Sequence, residues 1–428
     1  MPAITHPCAT PRAGGVLLSL ALFVAPGATA QTTPATPAPA EGPAPPSRRL
    51  AFSGELGARL ELIANDSFAT TAALADDDVR FRQRFRLRFG ADYEASRALA
   101  LGFRLSTGDT RFPSTAWTSL SNDFRRQPIA IDRAFVSVRP GGGADLRSGL
   151  MALPLFSPTQ VLWDADVQPA GLGEVVPLGG SGLTLAGGQF WLREARSDRP
   201  DNQEGSLLFA QGLSFSHAGP SRRFTAGLAY WHYNRPDSLA LALQTGELDP
   251  AFKTNRFDPQ GRTIPDPGRP GATLPVDYFS NYTLLSAALR LETRWRRPLA
   301  LSAEGVVNLS ARSDPSLGPA WAKRQGGAFA ILLHYGSDQK DWDWRVGVGY
   351  AHIEADAVVA VYNSDELQQT NVRSLPLELP LRLPGGPRVV LDAFVQKKLD
   401  TALPGPGGIV SPENATKVRA RLNLLVPF

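Results

Sequence analysis

Five arginines stand at alternate positions in Val79–Tyr93: Arg80, Arg82, Arg84, Arg86 and Arg88, interleaved with Val79, Phe81, Phe85, Leu87 and Phe89. Period two is the period of a β-strand, so the spacing puts a row of guanidiniums on one face and an apolar row on the other. Fixed cations on a wet face can attract anions, orient dipolar solutes or grip carboxylates. Arg104 and Arg147, on neighbouring candidate strands, extend the row. Opposite charge is available in segment 152–169, where Asp164 and Asp166 follow Trp163 between Pro154, Pro158 and Pro169. Wall arginines facing loop carboxylates would make a constriction with a transverse field. Glu55 and Glu61, on the wet face of the adjacent strand, offer a competing outcome, because cross-strand pairs can neutralise part of the ladder.

Other constellations carry less. Asp76, Asp77 and Asp78 could bind a divalent ion, or form a solvated loop run. His217, His232, His334 and His352 are scattered without metal-ligand spacing. There is no G-x-S-x-G, H-E-x-x-H or phosphate loop, so no enzyme, cofactor or metal is expected. Nor is a nucleic-acid partner, since 44 Lys+Arg are nearly matched by 40 Asp+Glu.

These side chains need elements to hold them. The 428 residues are 43% hydrophobic, too apolar for a disordered chain. With 40 glycines and 37 prolines they do not describe a mostly helical one. Arg12 precedes an apolar run, Val16–Ala25, too short to span a bilayer, and Ala28-Thr29-Ala30 follows as a cleavage pattern. Residues 1–30 therefore read as a secretory signal peptide, which removes Cys8, the single cysteine. Residues 31–49 read as a Pro/Ala-rich disordered linker.

Period-two alternation fills the rest, and 50–428 is expected to form one barrel. Candidate strands lie at 50–62, 79–93, 99–105, 129–139, 144–151, 170–178, 183–193 and 206–217. Eight more lie at 223–233, 282–295, 299–310, 324–335, 342–353, 372–383, 389–398 and 416–428. Two depart from the pattern: 129–139 sets Asp132 beside Arg133, and 372–383 contains Pro376 and Pro380, which cannot donate to a ladder. Sixteen strands are expected, within a range of fourteen to eighteen. Short and long connections alternate, as in an outer-membrane barrel with tight periplasmic turns and long extracellular loops.

A soluble sandwich or solenoid competes, because periodicity alone does not say which face points inward. On lipid, each ladder arginine would cost about 2–4 kcal/mol at mid-depth, so that face must be wet. The signal peptide, a barrel too wide for side chains to fill and aromatics near strand ends favour the membrane form. Closure would pair every backbone N–H and C=O, as hydrocarbon demands. The final strand ends in Phe428, preceded by apolar residues at Val426, Leu424, Leu422, Ala420 and Val418. It is similar to the C-terminal signal read by the bacterial barrel-assembly machinery.

Segments Phe85–Gly90, Leu99–Asp109, Ile131–Val138, Gly149–Gly171 and Ala186–Glu194 together resemble the Gram-negative "putative porin" family. The resemblance covers residues 80–195. It implies an outer-membrane location, a passive diffusion channel for small hydrophilic solutes and no enzymatic activity. The lumenal arginines add an expected preference for anions. The alternatives are a substrate-specific channel for acidic sugars or oligosaccharides and, more distantly, an outer-membrane enzyme barrel. Expected partners are outer-membrane lipid and lipopolysaccharide, the assembly machinery, two further copies in a homotrimer and the permeating solutes.

Overall fold

A computed structural model describes residues 49–65, 79–120, 126–193, 205–249, 251, 253–266, 268, 270–364, 366–367, 369–401, 403 and 416–428. The expected signal peptide, all of the linker but Arg49, and Asp76–Asp78 lie outside the described residues.

Sixteen long strands run in chain order: β1 Arg49–Ala64, β2 Val79–Glu94, β3 Leu99–Thr107, β4 Ile129–Gly141, β5 Ala144–Leu150, β6 Ala170–Pro177, β7 Leu183–Arg193 and β8 Ser206–Ala218. They continue as β9 Arg222–Asn234, β10 Thr283–Arg294, β11 Pro298–Asn308, β12 Gly327–Gly336, β13 Arg345–Ile353, β14 Val372–Arg382, β15 Arg388–Lys398 and β16 Thr416–Pro427. Each pairs antiparallel with the next, and β16 returns to β1 from Glu55↔Pro427 to Ala64↔Val418. The chain is thus a closed sixteen-stranded antiparallel barrel, and closure leaves the sheet without an edge strand. Short turns gather at one end, long loops at the other. The β4–β5 turn holds Gly142 and Gly143 at φ 62° and 79°, the positive pair a tight two-residue hairpin requires.

The alternation resolves into an outer and an inner face. Leu56, Leu60, Phe81, Phe89, Leu101, Phe103, Leu285, Leu301, Leu333 and Leu422 are exposed on the outer surface. Glu61, Arg84, Glu304, Arg419 and Arg421, in the opposite phase, are buried inside.

Both irregular strands exist, each with a local cost. The register of β3 on β4 shifts between Arg104↔Arg133 and Leu105↔Ile131. Asp132 is the extra residue of this bulge, which explains why two charged neighbours both turn inward. In β14 the ladder to β13 skips the stretch around Pro376, while the ladder to β15 is unbroken from Val372↔Lys398 to Arg382↔Arg388. The missing donors fall on one side of the strand.

Phe428 continues the seam. Its N–H donates to Gly54 O at 3.0 Å and its carbonyl accepts from Gly54 N–H at 2.8 Å. A Cβ at position 54 would meet the Phe428 ring at 2.2 Å, so the ring would have to move to admit any side chain there.

The long loops are not only external. Loop 235–282 carries a nine-residue helix α1, Asp237–Thr245, and a small hairpin of Thr263–Pro265 with Thr273–Pro275. Leu239, Ala240 and Leu243 of α1 bury beside Val161, Leu162 and Trp163 of loop 151–169 and Val358, Val359 and Val361 of loop 354–371. This cluster rests on the inner faces of β7–β13 through Phe190, Leu208, Trp231, Leu284, Val306, Ala330 and Ile353. One side of the lumen, at the long-loop end, is therefore filled by an apolar core made from loops.

Candidate functional site

The opposite side of the lumen carries charge. Antiparallel register sets Glu61 of β1 directly across from Arg82 of β2 and Arg421 of β16. Glu61 is fully buried and accepts from Arg82, with Arg421 at 3.2 Å, Arg419 at 3.7 Å and Arg84 at 3.8 Å. A carboxylate so enclosed stays only because cations surround it. Arg86 is paired with Glu55 of the same neighbouring strand. The adjacent strand therefore does neutralise part of the ladder.

The remaining expected residues take distinct places. Arg80 stands exposed toward the long-loop end of β2. Arg104 pairs with Asp132 of the bulge, and Arg147 with Asp145 at 2.7 Å on its own strand. Arg88 donates to Asp166 at 2.6 Å, which brings a wall arginine against a carboxylate of loop 151–169. Asp164 does not face the wall. It is buried, and its Oδ1 accepts the Asp166 N–H at 2.7 Å, a short turn that aims Asp166 at Arg88.

Loop 151–169 crosses the barrel interior. Ser157 Oγ and Thr159 Oγ1 donate to the buried Glu304 carboxylate of β11, at 2.9 and 2.8 Å. Trp163 stacks between Trp231 of β9 and Tyr362, at 6.0 and 5.2 Å. The loop is tied to β2 at one end and to β9 and β11 at the other.

Burial opposes ionisation of Asp166, yet the Arg88, Arg86 and Arg104 guanidiniums hold its carboxyl below the ordinary aspartate value of 3.8. A depressed folded-state value means the tie is fully present above the unfolded value and is lost as pH falls through the folded one. Protease access to 151–169 in detergent-solubilised protein should be constant from neutral pH to the ordinary aspartate range. It should rise only below that range, and Asp166→Asn should abolish the pH step.

Several residues of the site carried no expectation. Loop 354–371 supplies Glu366, whose carboxylate accepts from Arg421 at 2.6 Å. Its apolar stretch Ala355–Tyr362, unusual in a long loop, was the signal available in the sequence. Lys417, Arg419, Arg421 and Asn423 form a second wet row whose alternation is as regular as that of β2. Trp117, from loop 108–128, accepts a bond from Arg84 at its carbonyl and lies under two guanidiniums, Arg59 at 3.9 Å and Arg86 at 4.7 Å. No local pattern marks this tryptophan.

Of these, Arg59, Arg86, Trp117, Glu366 and Asn423 border a cavity of about 830 Å³. It runs from the short-turn mouth, at Arg223, Arg294 and Asp338, to Trp117, Gln160 and Glu366 under the loops. Eight arginines and five carboxylates line it, an excess of three positive charges.

Residues 54–259 match the family described as "putative porin". No protein of curated function matches the sequence. In fold, the chain is similar to OprB of Pseudomonas putida in its high-pH structure, with a TM-score of 0.52, 11% identity and coverage of 89% of this chain and 94% of that one. It is also similar to an anion-selective porin from Comamonas acidovorans, with a TM-score of 0.50, 10% identity and coverage of 89% and 100%.

Proposed function

We propose, from the match of residues 54–259 to the "putative porin" family, that the chain is an outer-membrane diffusion channel for small hydrophilic solutes that prefers anions. The supporting observation is the division of the lumen. The loops fill the long-loop end of the lumen against β7–β13 and leave an open cavity beneath them, lined mainly by β9–β15 and, under the loops, by Arg59, Arg86 and Trp117. A solute entering from the short-turn mouth meets the cationic excess of that cavity, and rings of fixed charge set ion preference at close quarters. Passage needs no covalent step, and the reading assigns the chain no enzymatic activity.

Planar-bilayer reversal potentials in a KCl gradient test the proposal. The expected sign is that of chloride preference; a potassium-preferring wild type would refute the anion claim, and absence of conductance would refute the channel.

A second reading, a channel for carboxylated sugars, draws on Trp117 beneath Arg59 and Arg86. The ring holds two guanidiniums together at this end of the cavity, and paired guanidiniums suit the carboxylate of an acidic sugar. Conductance that saturates with a uronic acid, and not with its neutral sugar, would favour it.

A further inference from the structure

The outer surface at the short-turn end of β10–β14 has an arrangement that the channel reading does not use. Trp295, Tyr335 and Trp344 point outward in a contiguous row, with Tyr335 6.5 Å from Trp295 and 6.3 Å from Trp344. The Arg297 guanidinium lies over the Trp344 ring at 4.8 Å. Arg296 is exposed beside it. The next turn contributes Lys340, and its Trp342 N–H donates to the Arg382 carbonyl of β14 at 2.8 Å. Asp341 and Asp343 are the surface carboxylates of that turn, its third, Asp338, being buried against Arg345 and Arg388 on the lumenal side; three cations therefore stand against two acids.

Trp342 adds an independent observation. Its φ is 63°, a region that bulky side chains avoid, and its ring is 64% exposed. The turn accepts a strained backbone in order to present an indole outward, and such outliers cluster at ligand sites. Above the row, toward mid-barrel, the outer face continues through Leu301, Leu333, Val348 and Leu379, all exposed and apolar.

We propose that this rim is a binding site for an anionic phospholipid, with the headgroup phosphate against Arg296 and Arg297 and the acyl chains along the Leu301–Leu333–Val348 strip. Aromatic rings settle at the level of headgroups, and basic side chains beside them attract anionic lipid. A free phosphate would use the arginines but not the apolar strip, so the joined surface specifies a lipid. The site rests only on that part of the proposed function which sets the barrel in a bilayer; it does not depend on conduction.

The test uses the whole barrel in detergent micelles, exposed to equimolar phosphatidylglycerol and phosphatidylcholine, with retained lipid read by native mass spectrometry. Wild type should retain phosphatidylglycerol preferentially. The Arg296→Gln/Arg297→Gln variant should lose on the order of twentyfold of that preference, at about fivefold per arginine. Equal retention of the two lipids by wild type, or unchanged preference in the variant, overturns the site. Conductance measured on the same preparations separates the two claims. Selective retention by a barrel that does not conduct upholds the lipid site while refuting the channel. A conducting barrel without selective retention does the reverse.

Discussion

Asp356→Asn should destabilise the protein by about 3–5 kcal/mol, the usual cost of leaving one partner of a buried ion pair unmatched. Asp356 and Arg256 are both fully buried, 2.8 Å apart. The carboxylate also accepts the Arg256 main-chain N–H and the Ser280 hydroxyl. Arg256 in turn donates to the carbonyls of Ala320, Lys323 and Arg312. One guanidinium thus ties loops 235–282, 309–326 and 354–371 into a single body. Asn255, next in the chain, fastens Ala355, Val358 and Ala360 of the same loop.

The variant keeps the shape of the side chain and removes the charge, so the loss reports electrostatics rather than packing. Denaturant melts in micelles would give the stability, and limited proteolysis would show whether loop 354–371 has left the lumen. Conductance should rise with its release. Arg256→Met/Asp356→Leu, which removes both charges and retains apolar bulk, should recover most of the loss. A single variant within about 1 kcal/mol of wild type, with the loop uncut, would show that the pair is not what holds the loops.

Arg59→Gln/Arg86→Gln should bring chloride preference close to none. Both arginines line the cavity, and removing them lowers its excess from three positive charges to one. A unit charge about 4 Å from an ion in water-like surroundings is worth about 1 kcal/mol, roughly fivefold in local ion concentration. Two such losses exceed what the remaining excess sustains, so the reversal potential in a KCl gradient should move toward zero or change sign. The choice of positions comes from the structure. Arg82 and Arg84 belong to the same ladder, but they enclose Glu61, and removing them would strip cations from a buried carboxylate. Selectivity unchanged in the Arg59/Arg86 variant would place the ion path elsewhere in the lumen.

The sixteen strands were legible because a bilayer imposes a two-residue period along each of them, and periodicity is a local property. The two irregular segments were legible as irregular. Asp132 beside Arg133 signalled a bulge without saying that both side chains would turn inward. Pro376 signalled missing donors without saying that β13, and not β15, would lose them. Neighbouring-strand pairing was legible as a possibility: Glu61 against Arg82 follows directly from register, whereas Glu55, set opposite Arg88, reaches Arg86 on the diagonal. Asp166 against Arg88 could be anticipated as an encounter of a loop with a wall, but not as the task of one aspartate with the other serving as its turn.

What the sequence alone determined is what repeats along the chain: the strand count, the wet and dry faces, the alternation of short turns and long loops, and the arginine rows of β2 and β16. What only the tertiary structure decided is what depends on residues far apart in sequence. It decided that Glu366 and Arg421, 55 residues apart, share a hydrogen bond. It decided that Trp117 lies under two wall arginines, and that three loops form an apolar body against β7–β13. Nothing local specifies those contacts, because a loop has no period of its own and its place is set by which inner face offers a matching surface. The barrel is written in spacing; the shape of its lumen is written in how the loops close over it.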